Sequence, residues 1–275
     1  MDFDKVLSSV FSIYIKKFMP LFISSFLGLL LVQMVMYQLG FFELYQVENP
    51  EDMMLVFSKL MSKISVLSIS YVLIYGVLNA FLVNYIFISD NNSSVNLGDI
   101  LVDTLKKYTV HMIFFIILSI LIVLVGMLVG VFAFVVGMLL AVIYLGAVLI
   151  PGGAILVAEE KNAIDTVART FSLAHKDLWI NLGIFVIFIL IMILMSIVVN
   201  ALISIPFVIM FFDNLKETGS IFEAFNFHSY DLGIWLVVIN SIVAAVVYPI
   251  YPILSVVMYS RLKYNEDQKE INQDQ

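Results

Sequence analysis

Few side chains in this sequence are of types that could do chemistry, and none has the spacing of a known catalytic site. Glu159 and Glu160 form an adjacent acidic pair that could activate water in an intramembrane protease. Glutamate proteases of that kind pair the acids with an Arg one helical turn away, whereas the next Arg here, Arg169, follows nine positions later. The pair is more typical of a solvated loop that leaves the membrane.

Metal-binding side chains are equally sparse. The chain has no cysteine and three histidines, His111, His175 and His228, and the topology predicted below puts His228 on the opposite side of the membrane from the other two. Protein zinc sites need three or four clustered nitrogen, sulfur or carboxylate ligands. The sequence therefore predicts no metal, no cofactor and no enzymatic activity.

Polar and helix-breaking residues inside apolar segments are the remaining candidates for a functional site. Buried amides can bind a solute, although they more often hydrogen-bond between helices. Carbonyl groups and helix ends at a proline break can coordinate a transported substrate, although neighbouring helices also satisfy such breaks. The candidate residues for a path or hinge are Asn79, Asn200, Asn240, Pro151, Gly152, Gly153, Pro206, Pro249 and Pro252.

The elements that position these residues must be soluble in lipid. The 275 residues are 62% hydrophobic and 13% charged, whereas a soluble domain is about 45–50% apolar and about 25% charged. This composition excludes a soluble globular protein and a disordered chain. The net charge of -7 argues against a nucleic-acid partner, because nucleic-acid binding needs a basic surface.

Long uncharged segments predict six transmembrane helices, because a helix needs about 20 residues to cross about 30 Å of hydrocarbon. Residues 110–158 lack Asp, Glu, Lys and Arg over 49 positions, which suits two crossings joined by a turn around Ala133–Gly137. We expect Pro206 to kink or end the fifth helix. Within a membrane domain of residues 1–263, the predicted spans are 18–42, 64–88, 110–132, 137–158, 182–205 and 232–260, and residues 264–275 are predicted to be a disordered cytoplasmic tail.

The distribution of basic residues predicts the orientation. Eleven of the fourteen Lys and Arg residues fall on the side of the N-terminus, and cytoplasmic segments carry an excess of these residues. We therefore expect a multi-pass protein of the cytoplasmic membrane with both termini in the cytoplasm. No Asp, Glu, Lys or Arg lies inside a predicted span, which argues against proton-coupled transport, because proton relays use intramembrane ionisable groups.

Three amphipathic segments precede the first, third and fifth spans. Their apolar residues recur at helical intervals from Phe3, Leu97 and Ile164, the pattern of a helix lying on a membrane surface. We infer three repeats of one interfacial cytoplasmic helix plus two spans, although the cytoplasmic loops of any membrane protein are amphipathic and basic. The candidate contacts for anionic lipid are Lys16, Lys17, Lys106, Lys107, Arg169 and Lys176.

Two stretches of the chain resemble a broad group of prokaryotic six-helix membrane proteins. They are Asp4-Lys5-Val6-Leu7 with Ile15-Lys16-Lys17-Phe18, and Pro151-Gly152 with residues 163–173 and Trp179. The group includes the membrane domain attached to some glycerophosphodiester phosphodiesterases and related families of unknown function. The resemblance implies a six-helix membrane fold. It implies no enzymatic residues, because this chain lacks the catalytic domain of the phosphodiesterase members.

These observations predict a non-catalytic multi-pass protein that organises lipids or partner proteins at the membrane. The alternative is a passive or partner-driven transporter of a lipid or other amphiphile. A solvent-filled cavity open to one side near Asn79, Asn200 and Asn240 would favour transport, whereas a closed, dry bundle would favour organisation. The expected partners are membrane lipids and another membrane protein, and the sequence leaves the oligomeric state open.

Overall fold

The described part of the chain is almost entirely α-helical. The computed structural model describes residues 3–42, 50–91, 96–132, 134–218 and 232–273. The α-helices in these ranges are α1 (Phe3–Lys16), α2 (Phe18–Gln38), α3 (Pro50–Asn91), α4 (Leu97–Lys107), α5 (Thr109–Val131), α6 (Phe134–Leu149), α7 (Gly152–Ala158), α8 (Ala163–Ala174), α9 (Leu178–Thr218), α10 (Leu232–Val247) and α11 (Ile250–Gln273). No strand occurs within the same ranges.

Six helical segments of the described chain are long and apolar enough to cross a membrane. They are Phe18–Gln38, Met53–Ser89, Thr109–Val131, Val135–Ala158, Ala163–Ile205 and Ile234–Lys269. The prediction of an all-α polytopic fold is therefore confirmed. The order of the elements also follows the predicted pattern, in which one short helix precedes each pair of spans.

The hairpin between α5 and α6 turns slightly earlier than predicted. Helix α5 ends at Val131 and α6 begins at Phe134, so Gly137 lies inside a helix, and Ala133 is outside the described residues. A Cβ atom on Gly130 would lie 2.6 Å from the carbonyl oxygen of Gly137. Glycine at this position thus allows the two backbones to touch next to the turn.

Of the two outcomes expected at Pro206, a kink or a helix end, the helix end does not occur, because α9 continues through Pro206 to Thr218. Proline removes one backbone hydrogen bond from a helix. In hydrocarbon, ending the helix would expose several more N–H and C=O groups that have no water to bond. Continuing past one missing bond is therefore the less costly outcome.

The short helices α1, α4 and α8 form where the amphipathic patterns predict them. Asn162 caps α8, since its Oδ1 accepts a hydrogen bond from the backbone N–H of Asp165 at 2.9 Å. A capping bond of this kind satisfies a donor that the first turn of a helix leaves free. Asn96 caps α4 in the same way, with a bond of 3.0 Å from the N–H of Gly98.

The three short helices differ in which edge they bury. Helix α1 buries Val6 and Val10, which belong to its predicted apolar stripe. Helix α8 instead buries Thr166 and Thr170, while Ile164 on the predicted stripe is 72% exposed. The predicted stripe of α8 is therefore divided, since Ile164 faces away from the protein while Ala174 is completely buried.

The buried core lies at one end of the bundle, where α1 packs on α11, α4 packs on α3 and α8 packs on α5 and α7. We call this the short-helix end. Leu82, Leu156 and Leu254 are completely buried there. In the half of the bundle away from the short-helix end, leucines such as Leu128 and Leu202 are more than 60% exposed, which suits helices surrounded by lipid.

The prediction of a disordered tail from residue 264 is wrong over the described part of that segment, because α11 continues to Gln273. Residues 274–275 lie outside the described residues. The side chain of Glu266 is only 7% exposed and pairs with Arg169 of α8. Ion pairs with α8 thus order a polar sequence that has too little apolar surface to fold on its own.

Candidate functional site

A cavity of about 680 Å³ lies between α3, α5, α9 and α10. Its lining residues all belong to the segments that are able to cross the membrane. Binding pockets for small molecules usually measure about 300–1,000 Å³. Among the described residues that line this cavity there is no Asp, Glu, Lys, Arg or His. The cavity is open on one side, so it can hold a ligand between the spans but offers it no opposite charge.

Four tyrosines line this cavity: Tyr71, Tyr75, Tyr248 and Tyr251. Tyr71 and Tyr75 are one helical turn apart on α3, and their stacked rings have centroids 5.3 Å apart. The ring of Tyr248 meets that of Tyr75 edge-on, with centroids 5.4 Å apart. The rings supply an apolar wall, and their hydroxyl groups add hydrogen-bonding capacity.

The structure brings the three predicted asparagines, Asn79, Asn200 and Asn240, to the same cavity. The Asn200 amide is held by its own helix, because its Nδ2 donates to the carbonyl of Ser196 at 2.8 Å. Asn79 is only 5% exposed, and its Oδ1 accepts no hydrogen bond from any described residue. A buried acceptor without a donor costs about 1–3 kcal/mol, so Asn79 is the polar group at which a ligand would gain most.

The helix break between α6 and α7 lies in the core and does not reach the cavity. Pro151, Gly152 and Gly153 are buried, and a Cβ atom on Gly152 would overlap the ring of Phe115. The N–H of Ala154 donates to Ser255 Oγ of α11 at 3.1 Å. A neighbouring helix thus bonds to a backbone group at this break. This is the alternative given above for proline breaks that do not line a transport path.

The break between α10 and α11, by contrast, adjoins the cavity. Pro249 lies between Tyr248 and Tyr251, and both tyrosines face the cavity. The Tyr14 hydroxyl of α1 donates to the carbonyl of Val246 at 2.7 Å, in the last turn of α10, where carbonyl groups lack helical partners. Pro252 is buried within α11 and is not part of the cavity wall.

Of the six basic side chains predicted to contact anionic lipid, two bind a buried carboxylate on α11 and four lie on or near α1 and α4. Arg169 and Lys176 both bind the Glu266 carboxylate, so their charges are already neutralised by the protein. Lys16 and Lys106 are exposed, Lys17 Nζ lies 3.5 Å from the carbonyl oxygen of Ile86, and Lys107 pairs with Asp103 at 2.9 Å. The hydrogen bond from Lys107 to Asp103 raises the pKa of that lysine.

The sequence did not reveal the ionic cluster at the short-helix end, formed by Glu159, Arg169, Lys176, Lys263 and Glu266. Arg169 donates through Nη1 and Nη2 to the two carboxylate oxygens of Glu266, at 2.9 and 2.5 Å. Its Nε lies 3.2 Å from Glu159. The cluster joins α8 and α11 to Glu159, the residue that follows α7. It thereby stabilises the short-helix end of the bundle.

The tyrosines of the cavity were also missed, although a signal for them exists. Tyr71, Tyr75 and Asn79 are spaced at i, i+4 and i+8, which places them on one face of a helix. Tyr248 and Tyr251 flank Pro249 at i and i+3. A polar aromatic face on one span and a similar pair at a helix break indicate a shared site only when the two helices are known to pack together.

No family model, no curated protein and no solved structure matches this chain. The resemblance to the membrane domain of glycerophosphodiester phosphodiesterases therefore stays a prediction. The function has to be argued from the geometry of the cavity.

Proposed function

We propose that this protein is a passive or partner-driven transporter of an amphiphile and that the cavity between α3, α5, α9 and α10 holds the transported molecule. The observation that carries this proposal is the 680 Å³ cavity to which Asn79, Asn200 and Asn240 all contribute. A cavity shared by these three asparagines is the feature expected of a transporter, and not of a protein that only organises lipids or partner proteins. The proposed activity is not catalytic.

The two kinds of wall in the cavity support an amphiphilic substrate. Ile116, Ile120 and Val243 present hydrocarbon, whereas the asparagines and tyrosines present groups that need hydrogen bonds. A purely apolar molecule would leave the buried Asn79 oxygen unsatisfied, and such a group is costly in a medium of low polarity. A molecule with a polar end and an alkyl chain satisfies both walls.

The described lining also supports passive or partner-driven movement. Proton-coupled transporters carry Asp, Glu, His, Lys or Arg side chains along the substrate path, and none of these five residue types belongs to the described cavity wall. We further propose that the short-helix end faces the cytoplasm of a cell membrane. This orientation follows from the excess of basic residues on that side and from the positive-inside rule.

Transport across reconstituted vesicles tests the proposal. Fluorescently labelled amphiphiles are placed in both leaflets, and a reductant added outside quenches only those molecules that reach the outer leaflet. We expect Ala244→Phe and Ile120→Trp, which fill the cavity, to slow transfer at least tenfold. Ala201→Phe, on an exposed part of α9, is the matched control and should leave the rate unchanged. Equal rates for all three variants would refute the proposal.

A second function, the organisation of anionic lipid, is favoured by α4. Leu97, Leu101 and Leu105 are 39–47% exposed along one edge of this helix, next to Lys106 and Lys107 in its last turn. A helix with exposed apolar and basic residues binds the surface of an anionic membrane. Lys106→Gln combined with Lys107→Gln should then weaken binding to anionic vesicles, with neutral vesicles as the control.

A further inference from the structure

We propose that the molecule held in the cavity is an uncharged amphiphile whose polar group is a hydroxyl, such as a long-chain alcohol, and not a lipid with a phosphate or ammonium headgroup. This inference rests on the transport function proposed above and names the class of its substrate. Three features of the cavity wall carry it: its charge, its buried amide and the packing of its aromatic rings.

The first feature is the formal charge of the wall. Within the described lining no acidic or basic side chain is present, so a phosphate or an ammonium group would enter without a counter-ion. Moving an ion from water into a site of low polarity is costly unless an opposite charge or several hydrogen bonds compensate. A neutral polar group avoids that cost.

The second feature is the amide of Asn79. Its Oδ1 is buried and has no donor among the described residues, and the amide also carries two N–H donors. A hydroxyl can donate to the amide oxygen or accept from an amide N–H, so it matches either group of the amide. A phosphate diester only accepts, and a quaternary ammonium does neither, so each would leave the Asn79 oxygen unsatisfied.

The third feature is the packing of the tyrosine rings. A cage for a quaternary ammonium needs aromatic faces that are open to the cation. In this cavity Tyr71 and Tyr75 stack on each other at 5.3 Å, and Tyr75 also contacts Tyr248 at 5.4 Å. The stacked pair covers one face of Tyr71 and one face of Tyr75. Fewer open faces therefore remain for a cation, which favours an apolar wall that carries hydroxyl groups over a cation cage.

A matched series of ligands tests the inference on the full chain in lipid nanodiscs. Radiolabelled dodecanol is bound to the wild-type protein and displaced by unlabelled dodecanol, dodecyl phosphate or dodecyltrimethylammonium. All three have the same alkyl chain, so their differences report on the headgroup. We expect dodecanol to bind saturably and the two charged ligands to displace it at least tenfold more weakly.

Two Asn→Leu substitutions test whether the hydroxyl of dodecanol binds at Asn79. Asn79→Leu should weaken dodecanol binding about tenfold, because it removes the unsatisfied amide. Asn200→Leu should change it less than threefold, because the Asn200 amide already bonds to Ser196. Equal effects of the two substitutions would overturn the role of Asn79.

The outcomes separate this inference from the proposed function. If a charged ligand binds more tightly than dodecanol and Ala244→Phe abolishes that binding, the hydroxyl substrate is wrong while the cavity remains a binding site. If none of the three ligands binds saturably, or if Ala244→Phe leaves the binding unchanged, both proposals fail. The ligand series on the wild-type protein needs no variant, so misfolding of a variant cannot hide the answer.

Discussion

The ionic cluster at the short-helix end makes a quantitative prediction for Glu266→Gln. The Glu266 carboxylate accepts hydrogen bonds from Arg169 at 2.9 and 2.5 Å, from Lys176 at 2.7 Å and from Lys263 at 3.2 Å. Its side chain is 7% exposed. Glutamine keeps the size of the side chain and one acceptor oxygen but removes the negative charge that these three cations share.

The expected cost follows from the burial of each partner. Removing one member of a buried ion pair costs about 3–5 kcal/mol, whereas an exposed pair contributes about 0–1 kcal/mol. Arg169 is 21% exposed, and Lys176 and Lys263 are 38% and 40% exposed, so the arginine dominates and the lysines add little. We expect the free energy of unfolding to fall by about 3 kcal/mol.

The measurement is reversible unfolding in mixed micelles with an increasing fraction of sodium dodecyl sulfate. Asp267→Asn is the matched control, since it removes the same charge one residue later. Asp267 is 51% exposed and pairs with Lys263 at 3.0 Å, so its loss should cost less than about 1 kcal/mol. If the two variants lose the same stability, Glu266 is not the centre of the cluster and α11 is held by other contacts.

Three further predictions concern the backbone breaks and the orientation. Tyr14→Phe should lower the free energy of unfolding by about 1–3 kcal/mol, because it leaves a carbonyl in the last turn of α10 without its donor; chemical denaturation measures this loss. Gly152→Ala should cost about 1–3 kcal/mol by the same measurement, because the added methyl group overlaps a phenylalanine ring. In intact cells, an impermeant maleimide should label Ser58→Cys but label Ser8→Cys only after permeabilisation, since the two positions lie at opposite ends of the bundle.

Each of these predictions has a control in the chain. Tyr264 is 57% exposed, so Tyr264→Phe should leave the stability unchanged. Gly183 has no atom within 4 Å of an added Cβ, so Gly183→Ala should be neutral or slightly stabilising, as alanine favours helices. The natural chain has no cysteine, which provides the unlabelled background. Labelling of Ser8→Cys in sealed cells would reverse the proposed orientation.

The sequence by itself determined the number of long apolar helices and the short helices, because both depend on neighbouring residues. Hydropathy is summed along a contiguous segment, and amphipathic periodicity repeats within one helix. Helices α1, α4 and α8 therefore begin close to their predicted positions. The three asparagines were also found in this way, since a polar residue stands out inside an apolar segment.

The tertiary structure decided which groups meet. Arg169 and Glu266 are 97 positions apart, and Lys176 and Glu266 are 90 apart, so no local pattern could show that α11 continues beyond Lys263. The same holds for the cavity, where Tyr75 meets Tyr248 only because α3 packs beside the break after α10. The structure also showed that the two helix breaks differ in position. Another helix bonds to each break, through Ser255 at the first and Tyr14 at the second, but only the second break lies beside the cavity. Packing between distant segments depends on how the surfaces of whole helices fit together, and neither hydropathy nor periodicity along one segment gives that information.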